Sequence, residues 1–361
     1  MGAAAALQTA DWPECLVPPA PVPPALAAEV RRLMGATPGW LPSFAPVPWI
    51  ATTCAGFVSG PLAYAPPQLC DFVGLVVSQD NSCRYCYGVQ RALLRIRGYS
   101  DEHIDRLVRD FHVADFSPTE RAALDFGRRL SRANPRPGRA DFEEAVAAGL
   151  LPEAVREIAV VVAATNFTNR LGTLLALPQE ALEGVVERPL FRVVRPFLAW
   201  WIRPKLKPPE PVPQPNDGPC APLVAALAGS PSARVLRRTI DDAWASAILP
   251  RRTKMLVLAV VARALDCRYG EAEARSVLAG EGLGAADVDE VLATLGSPRL
   301  DAREARLVRF ARETVRYQPS VIQPRTREVC RDFTPAETLE TIGVIALANA
   351  VCRLSVILDA C

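Results

Sequence analysis

Histidine is nearly absent from this chain of 361 residues: His103 and His112 are its two copies. Both fall in the polar stretch SDEHIDRLVRDFH, which confines the nitrogen ligands of any zinc site to one short segment. Excess charge is missing too. A balance of 41 Lys and Arg against 39 Asp and Glu, net +2, carries no electrostatic footprint for nucleic acid. No uninterrupted apolar run reaches the roughly 18 residues of a membrane span. MLVLAVVARAL and TIGVIALANAVCRLSVIL are short or broken by Arg, and read as core helices. The opening MGAAAALQTADWPEC lacks the basic flank of a secretory signal. Ala6 stands where a myristoylation pattern needs Ser or Thr. No β-branched or aromatic run alternates with period two between turn signals, and aromatics make up only 7% of the chain. The expectation is a soluble, cytoplasmic, helical protein without a nucleic-acid or membrane partner.

What is present is helical and repeated. Ala, Leu, Val and Arg dominate, which suits helices packed on helices. In TERAALDFGRRLSR, Ala122, Ala123, Phe126 and Leu130 recur at steps of three and four, one apolar stripe of a helix. PEAVREIAVVVAATNF begins amphipathic and then turns apolar all round, as a central helix would, and TKMLVLAVVARAL does the same later on. Cys83-Arg84-Tyr85 recurs 184 residues on as Cys267-Arg268-Tyr269, and Gly98 as Gly282, each glycine fit to be a left-handed helix cap. The capping box Ser117-Pro118-Thr119-Glu120 is answered by Asp301-Ala302-Arg303-Glu304. Phe126 and Arg128 match Phe310 and Arg312, while Asn166 and Arg170-Leu171 match Asn349 and Arg353-Leu354 at an offset of 183. Agreement at several places in one order indicates a tandem duplication. The Pro-rich RPKLKPPEPVPQPNDGP, unfit for helix or inner strand, reads as the linker. The chain therefore divides into a Pro-rich segment 1–26, a repeat 27–185, a linker 186–221 and a second repeat 222–361. The fold class is all-α, two tandem helical bundles.

Ten cysteines in a long chain without an export signal read as mostly reduced, buried thiols. One spacing stands out, in DNSCRYCYGVQ. Ser82 or Asn81 can cap a helix there, placing Cys83 and Cys86 in its first turn, where the helix dipole favours a thiolate. Residues three apart share a face, so one sulfur can attack an oxidant and the other resolve the product as a disulfide. The rival readings are two core thiols, or half of a zinc site that would need two more ligands at compatible spacing. The helix start favours the redox pair.

At these residues the sequence resembles the carboxymuconolactone decarboxylase-like superfamily, in its alkylhydroperoxidase D-like branch. The likeness rests on an acidic residue before Cys-x-x-Cys, then SPTERAALDFGRRL and AVVVAATNFTNRL, and covers residues 27 to 185 well and 222 to 358 faintly. It implies Cys86 as the peroxidatic thiol and Cys83 as the resolving one. It puts Asp71, twelve residues before Cys83, in place of the family's Glu, and Gln90 in place of its His. Gln can hold a water or orient a carboxylate, but it cannot take a proton near neutral pH. The resemblance further implies a hydroperoxide substrate, an external dithiol as electron donor and no metal or organic cofactor, and it leaves a homo-oligomer open.

The second repeat keeps Cys267 but has Gly270 at the second thiol, Met255 at the acid and Ala274 at the histidine. It reads as a pseudo-repeat that covers the first, with Cys267 a packed thiol. ERPLFRVVRPFLAWWIRPKLK mixes Arg with aromatics and is broken by Pro189, Pro196 and Pro204. It reads as a linker arm whose aromatics pack across the repeats, rather than as an interfacial helix. The function expected is a thiol-dependent peroxidase. Its rivals are a redox-inactive assembly protein and a lactone decarboxylase-like enzyme without redox chemistry.

Overall fold

A computed structural model describes residues 13–359 apart from 60–61, 113, 189, 202–205 and 212–217. Among the described residues it is built of α-helices with no strand, one isolated bridge joining Glu210 to Gly229. In the first half α1 is Pro24–Met34, α2 Leu41–Phe44, α3 Pro48–Val58, α4 Pro67–Asp80 and α5 Arg84–Ile96. It continues with α6 Asp101–Arg109, α7 Pro118–Arg132, α8 Arg139–Ala147 and α9 Pro152–Leu174. Two helices, α10 Ala181–Val186 and α11 Phe191–Trp201, lead out of it. The second half holds α12 Ala221–Ala225, α13 Ser232–Ala245, α14 Arg251–Ala264 and α15 Arg268–Gly280. Then follow α16 Ala285–Thr294, α17 Ala302–Glu313, α18 Pro319–Val329 and α19 Pro335–Leu354, which runs into a 3-10 turn at Ser355–Leu358.

Proline sets many of these boundaries. Pro24, Pro48, Pro67, Pro118, Pro152, Pro319 and Pro335 each open a helix, where the missing N–H removes no intrahelical bond. Both capping boxes form as the sequence predicts, at Ser117 with Glu120 and at Asp301 with Glu304.

The duplication holds helix by helix. Helices α4 and α14 have 14 residues each and start 184 residues apart, as do the 13-residue α5 and α15. Ser82 and Asp266, which precede those last two, share a φ of 51°. Gly98 and Gly282 follow with φ of 100° and 83°, the left-handed caps that their positions require. The counterpart of the central helix α9 is α19, not the TKMLVLAVVARAL helix, which is the equivalent of α4. The segment Pro335–Leu358 passes a membrane-span test by length and composition, yet 94% of its most apolar window is buried inside the protein. It is a core helix.

Helices α9 and α19 lie against each other at the centre and exchange buried arginines. Arg170 donates to its own Asn166 Oδ1 at 2.9 Å and to Val315 O of the second half at 3.0 Å. Arg353 donates to Asn349 Oδ1 at 2.8 Å and to Ser131 O of the first half at 2.9 Å. A buried guanidinium is tolerated only with such partners, so each repeat supplies the other's acceptor. A second exchange uses Glu340 on α19. It accepts from Trp49 Nε1 at 2.6 Å and pairs with Lys254 at 3.0 Å.

The arm between the halves departs from its sequence reading. Phe191 packs with Val186 on Ala92 and Ile96 of α5, but Val193, Phe197 and Trp200 are 75%, 64% and 72% exposed. Phe197 and Trp200 thus face outward rather than across the repeats. Pro196 lies inside this short helix, while Pro189 and Pro204 fall outside the described residues.

Candidate functional site

Cys83 is the N-cap of α5, not a residue of its first turn. Ser82, read as a capping residue, instead adopts the left-handed conformation and turns the chain. The Cys83 sulfur accepts the backbone N–H of Cys86 at 3.3 Å. Both remain thiols, as do all nine described cysteines, and Cys361 lies outside the described residues.

The surroundings divide the two sulfurs. Burial opposes a charge on Cys83, but the Cys86 thiol, two backbone amides and the Thr173 hydroxyl outweigh it and hold Cys83 below the usual thiol range. Burial pushes Cys86 well up, and the bond to Cys83 pushes it further. Ionisation is therefore easier at Cys83 than at Cys86, the reverse of the order the family likeness implies. Exposure runs the other way: Cys83 is fully enclosed, and Cys86 retains 7%. Enclosure comes from Gly172 of α9, where a Cβ would stand 3.0 Å from the Cys83 sulfur. No residue larger than glycine fits there without displacing that sulfur.

The expected proton relay is not assembled around the thiols. Asp71 pairs with Arg97 at the far end of α5. Gln90 lies along Gly74, one turn beyond Asp71 on α4, and its buried Oε1 has no hydrogen-bond partner. No hydrogen bond or ion pair joins either residue to a sulfur among the described residues. Sequence gave the carboxylate its place but not the arginine that occupies it.

Two other groups, missed by the sequence reading, stand near the sulfurs. Tyr317, from the second half, lies within electrostatic reach of Cys83 and Cys86 and stacks under the Arg170 guanidinium at 5.7 Å. Burial pushes its phenol up to about 12, so it holds its proton. Tyr85 next to Cys86 donates to Glu180 Oε1 at 2.8 Å, which ties the start of α5 to the chain leading into α10. Tyr317 was invisible because its motif partner lies in the other repeat.

Among the described residues, no group of three or more His, Cys, Asp or Glu is arranged to hold a metal ion. His103 packs among Phe72, Tyr99 and Phe116.

No protein-family model matches the chain, and no curated protein matches it. Two solved structures are similar over about half of it. One is described as an alkylhydroperoxidase AhpD core, an uncharacterized peroxidase-related protein from Ralstonia eutropha JMP134. It is 21% identical over 48% of this chain and 96% of its own, with a TM-score of 0.42. The other is a variant of the debrominase Bmp8 in complex with 2,3,4-tribromopyrrole, 20% identical over 49% of this chain and 97% of its own, TM-score 0.42.

Proposed function

We propose that the chain is an alkylhydroperoxidase D-like thiol oxidoreductase that reduces hydroperoxides at Cys83 and Cys86 and is reset by an external dithiol. The observation that supports the reading is the Cys83 sulfur capping the helix start, accepting the Cys86 N–H at 3.3 Å, in surroundings that lower the Cys83 thiol and raise that of Cys86. Cys83 thiolate then serves as the base for Cys86, which is the sulfur an oxidant can meet. The proton of Cys86 passes to Cys83. The Cys86 sulfur attacks the peroxide, an S–O bond forms, and the O–O bond breaks. Tyr317 gives the leaving alkoxide its proton, making an alcohol. Cys83 thiol attacks the Cys86 sulfenic acid, the S–S bond forms, and water leaves. Reduction by the dithiol returns two electrons and two protons, which restore the Cys83 thiolate, the Cys86 thiol and the Tyr317 phenol. The base is thus a sulfur rather than an imidazole, which is compatible with Gln90 at the family's histidine position.

The test is peroxide titration of the purified chain with mass mapping. The expected result is loss of two thiols per equivalent of hydrogen peroxide, joined as Cys83–Cys86. In Cys83→Ser, Cys86 should still form a trappable sulfenic acid, about 10²-fold more slowly at pH 7 for want of its base. Tyr317→Phe should slow oxidation without changing the disulfide formed. Sulfenic acid on Cys83 in Cys86→Ser at the wild-type rate would reverse the roles. Retention of both thiols would favour the redox-inactive scaffold, the reading that the enclosure of Cys83 supports.

A further inference from the structure

The second half has a thiol pair of its own, formed by residues far apart in the chain. Cys267 caps α15 as Cys83 caps α5, and its sulfur accepts the Gly270 N–H at 3.3 Å. Where the first repeat places Cys86, this one has Gly270, and the space is filled from the facing helix. A Cβ on Gly270 would lie 3.0 Å from the Cys352 sulfur and 3.3 Å from the Cys267 sulfur. Both sulfurs crowd the same point. Cys352 sits on α19, at the position that Asn169 holds on α9. The Ser355 hydroxyl is 3.1 Å from the Cys267 sulfur and accepts from Arg136 of the first half at 2.9 Å.

Cys267 also opens on a cavity. The cavity holds about 350 Å³ and is walled by Arg263, Asp266, Arg268, Glu271 and Arg275. Glu271 ties Arg263 and Arg275 into a charged rim over the thiol. At 2% exposure, Cys267 is within reach of a small oxidant and closed to a protein disulfide.

We propose that Cys267 and Cys352 form a second redox centre, in which Cys267 attacks a small hydroperoxide and Cys352 resolves the product. The bond from Cys352 pulls Cys267 down to about 6 against its burial, helped by Ser355, the Gly270 amide and Arg136. In the first step the Cys267 thiolate attacks the outer peroxide oxygen, the S–O bond forms, the O–O bond breaks, and the released oxygen takes a proton from solvent. Cys352 sulfur then attacks the sulfenic sulfur, the S–S bond forms, and the hydroxide leaves with the Cys352 proton as water. Two electrons have passed from the thiols to the peroxide. The competing resolver is Cys220, which lies within electrostatic reach of Cys267, but burial pushes its thiol up to about 12.

The probe is hydrogen peroxide added to the full-length Cys83→Ser/Cys86→Ser variant, so that failure of the first site has no bearing on the outcome. Mapping should find a Cys267–Cys352 cross-link, formed at least tenfold faster than Cys330 is oxidised. Cys330 is buried alike, 5% exposed, but its thiol is pushed up to about 12. In Cys352→Ala the cross-link should vanish and a sulfenic acid on Cys267 should be trapped instead. Oxidation of Cys267 no faster than that of Cys330, or a Cys220–Cys267 cross-link in its place, would overturn the proposal.

Discussion

Lys254 and Glu340 are 1% and 0% exposed, and the salt bridge between them is the deepest in the protein among the described residues. The change Lys254→Met keeps most of the volume and removes the charge. The ammonium donates to Ala243 O at 2.7 Å and to Ser246 O at 2.6 Å, so two carbonyls lose their donor. Glu340 keeps only the Trp49 N–H. Stranding one partner of a buried pair costs about 3–5 kcal/mol. A buried carbonyl without a donor adds about 1–3 kcal/mol, less for Ser246 at the helix edge. A net loss of about 4–8 kcal/mol is expected, a large part of the roughly 5–15 kcal/mol that holds a typical fold. Urea unfolding followed by tryptophan fluorescence and by circular dichroism measures it. Since Trp49 belongs to the first half and Glu340 to the second, both probes should shift together. Adding Glu340→Gln to Lys254→Met removes the stranded charge and should recover about 2–3 kcal/mol, a coupling that distant sites lack. A single variant within 1 kcal/mol of wild type, or strict additivity in the double variant, would refute the argument that this buried pair stabilises the fold.

Two further outcomes follow from the thiol sites. Gly172→Ala puts a Cβ against the Cys83 sulfur and should cost about 1–3 kcal/mol by overpacking. It should also slow closure of the Cys83–Cys86 disulfide, read by rapid-quench mapping, and an unchanged rate would show that the sulfur has room to move. Cys267, held near 6 against an ordinary value of 9.0, should be half-alkylated at its limiting rate close to pH 6. Its depressed value makes the native state bind fewer protons than the unfolded chain between pH 6 and 9. Stability from this group should therefore rise with pH through that window and be lost below it. A rate midpoint near 9 would remove the basis for both.

Much of the architecture was legible because the duplication writes each signal twice. Cys-Arg-Tyr, the capping boxes and the Asn and Arg of the central helices mark positions that recur at fixed spacing, and the helices fall where those marks put them. The legible part of the site was equally local: Cys83 does stand at a helix start, with its sulfur on the Cys86 N–H. What stayed hidden depends on partners distant in sequence. Asp71 stands at the expected spacing, but its identity alone does not announce Arg97 beside it. Cys352 resembled any apolar residue of a core helix until the fold brought α19 over Gly270. The aromatic content of α11 suggested a packed arm, yet hydrophobicity does not say which side of a segment meets the protein, and Phe197 and Trp200 face outward.

Tyr317 crosses toward one thiol pair and Arg136 toward the other, so each half sets a side chain beside the sulfurs of its neighbour. In a dimer of identical chains any substitution would appear twice, so both centres would have to tolerate it. Covalent fusion lifts that symmetry: a glycine can replace a thiol on one side while its twin keeps it, and each copy can drift toward its own oxidant as long as it still lends the other its loop.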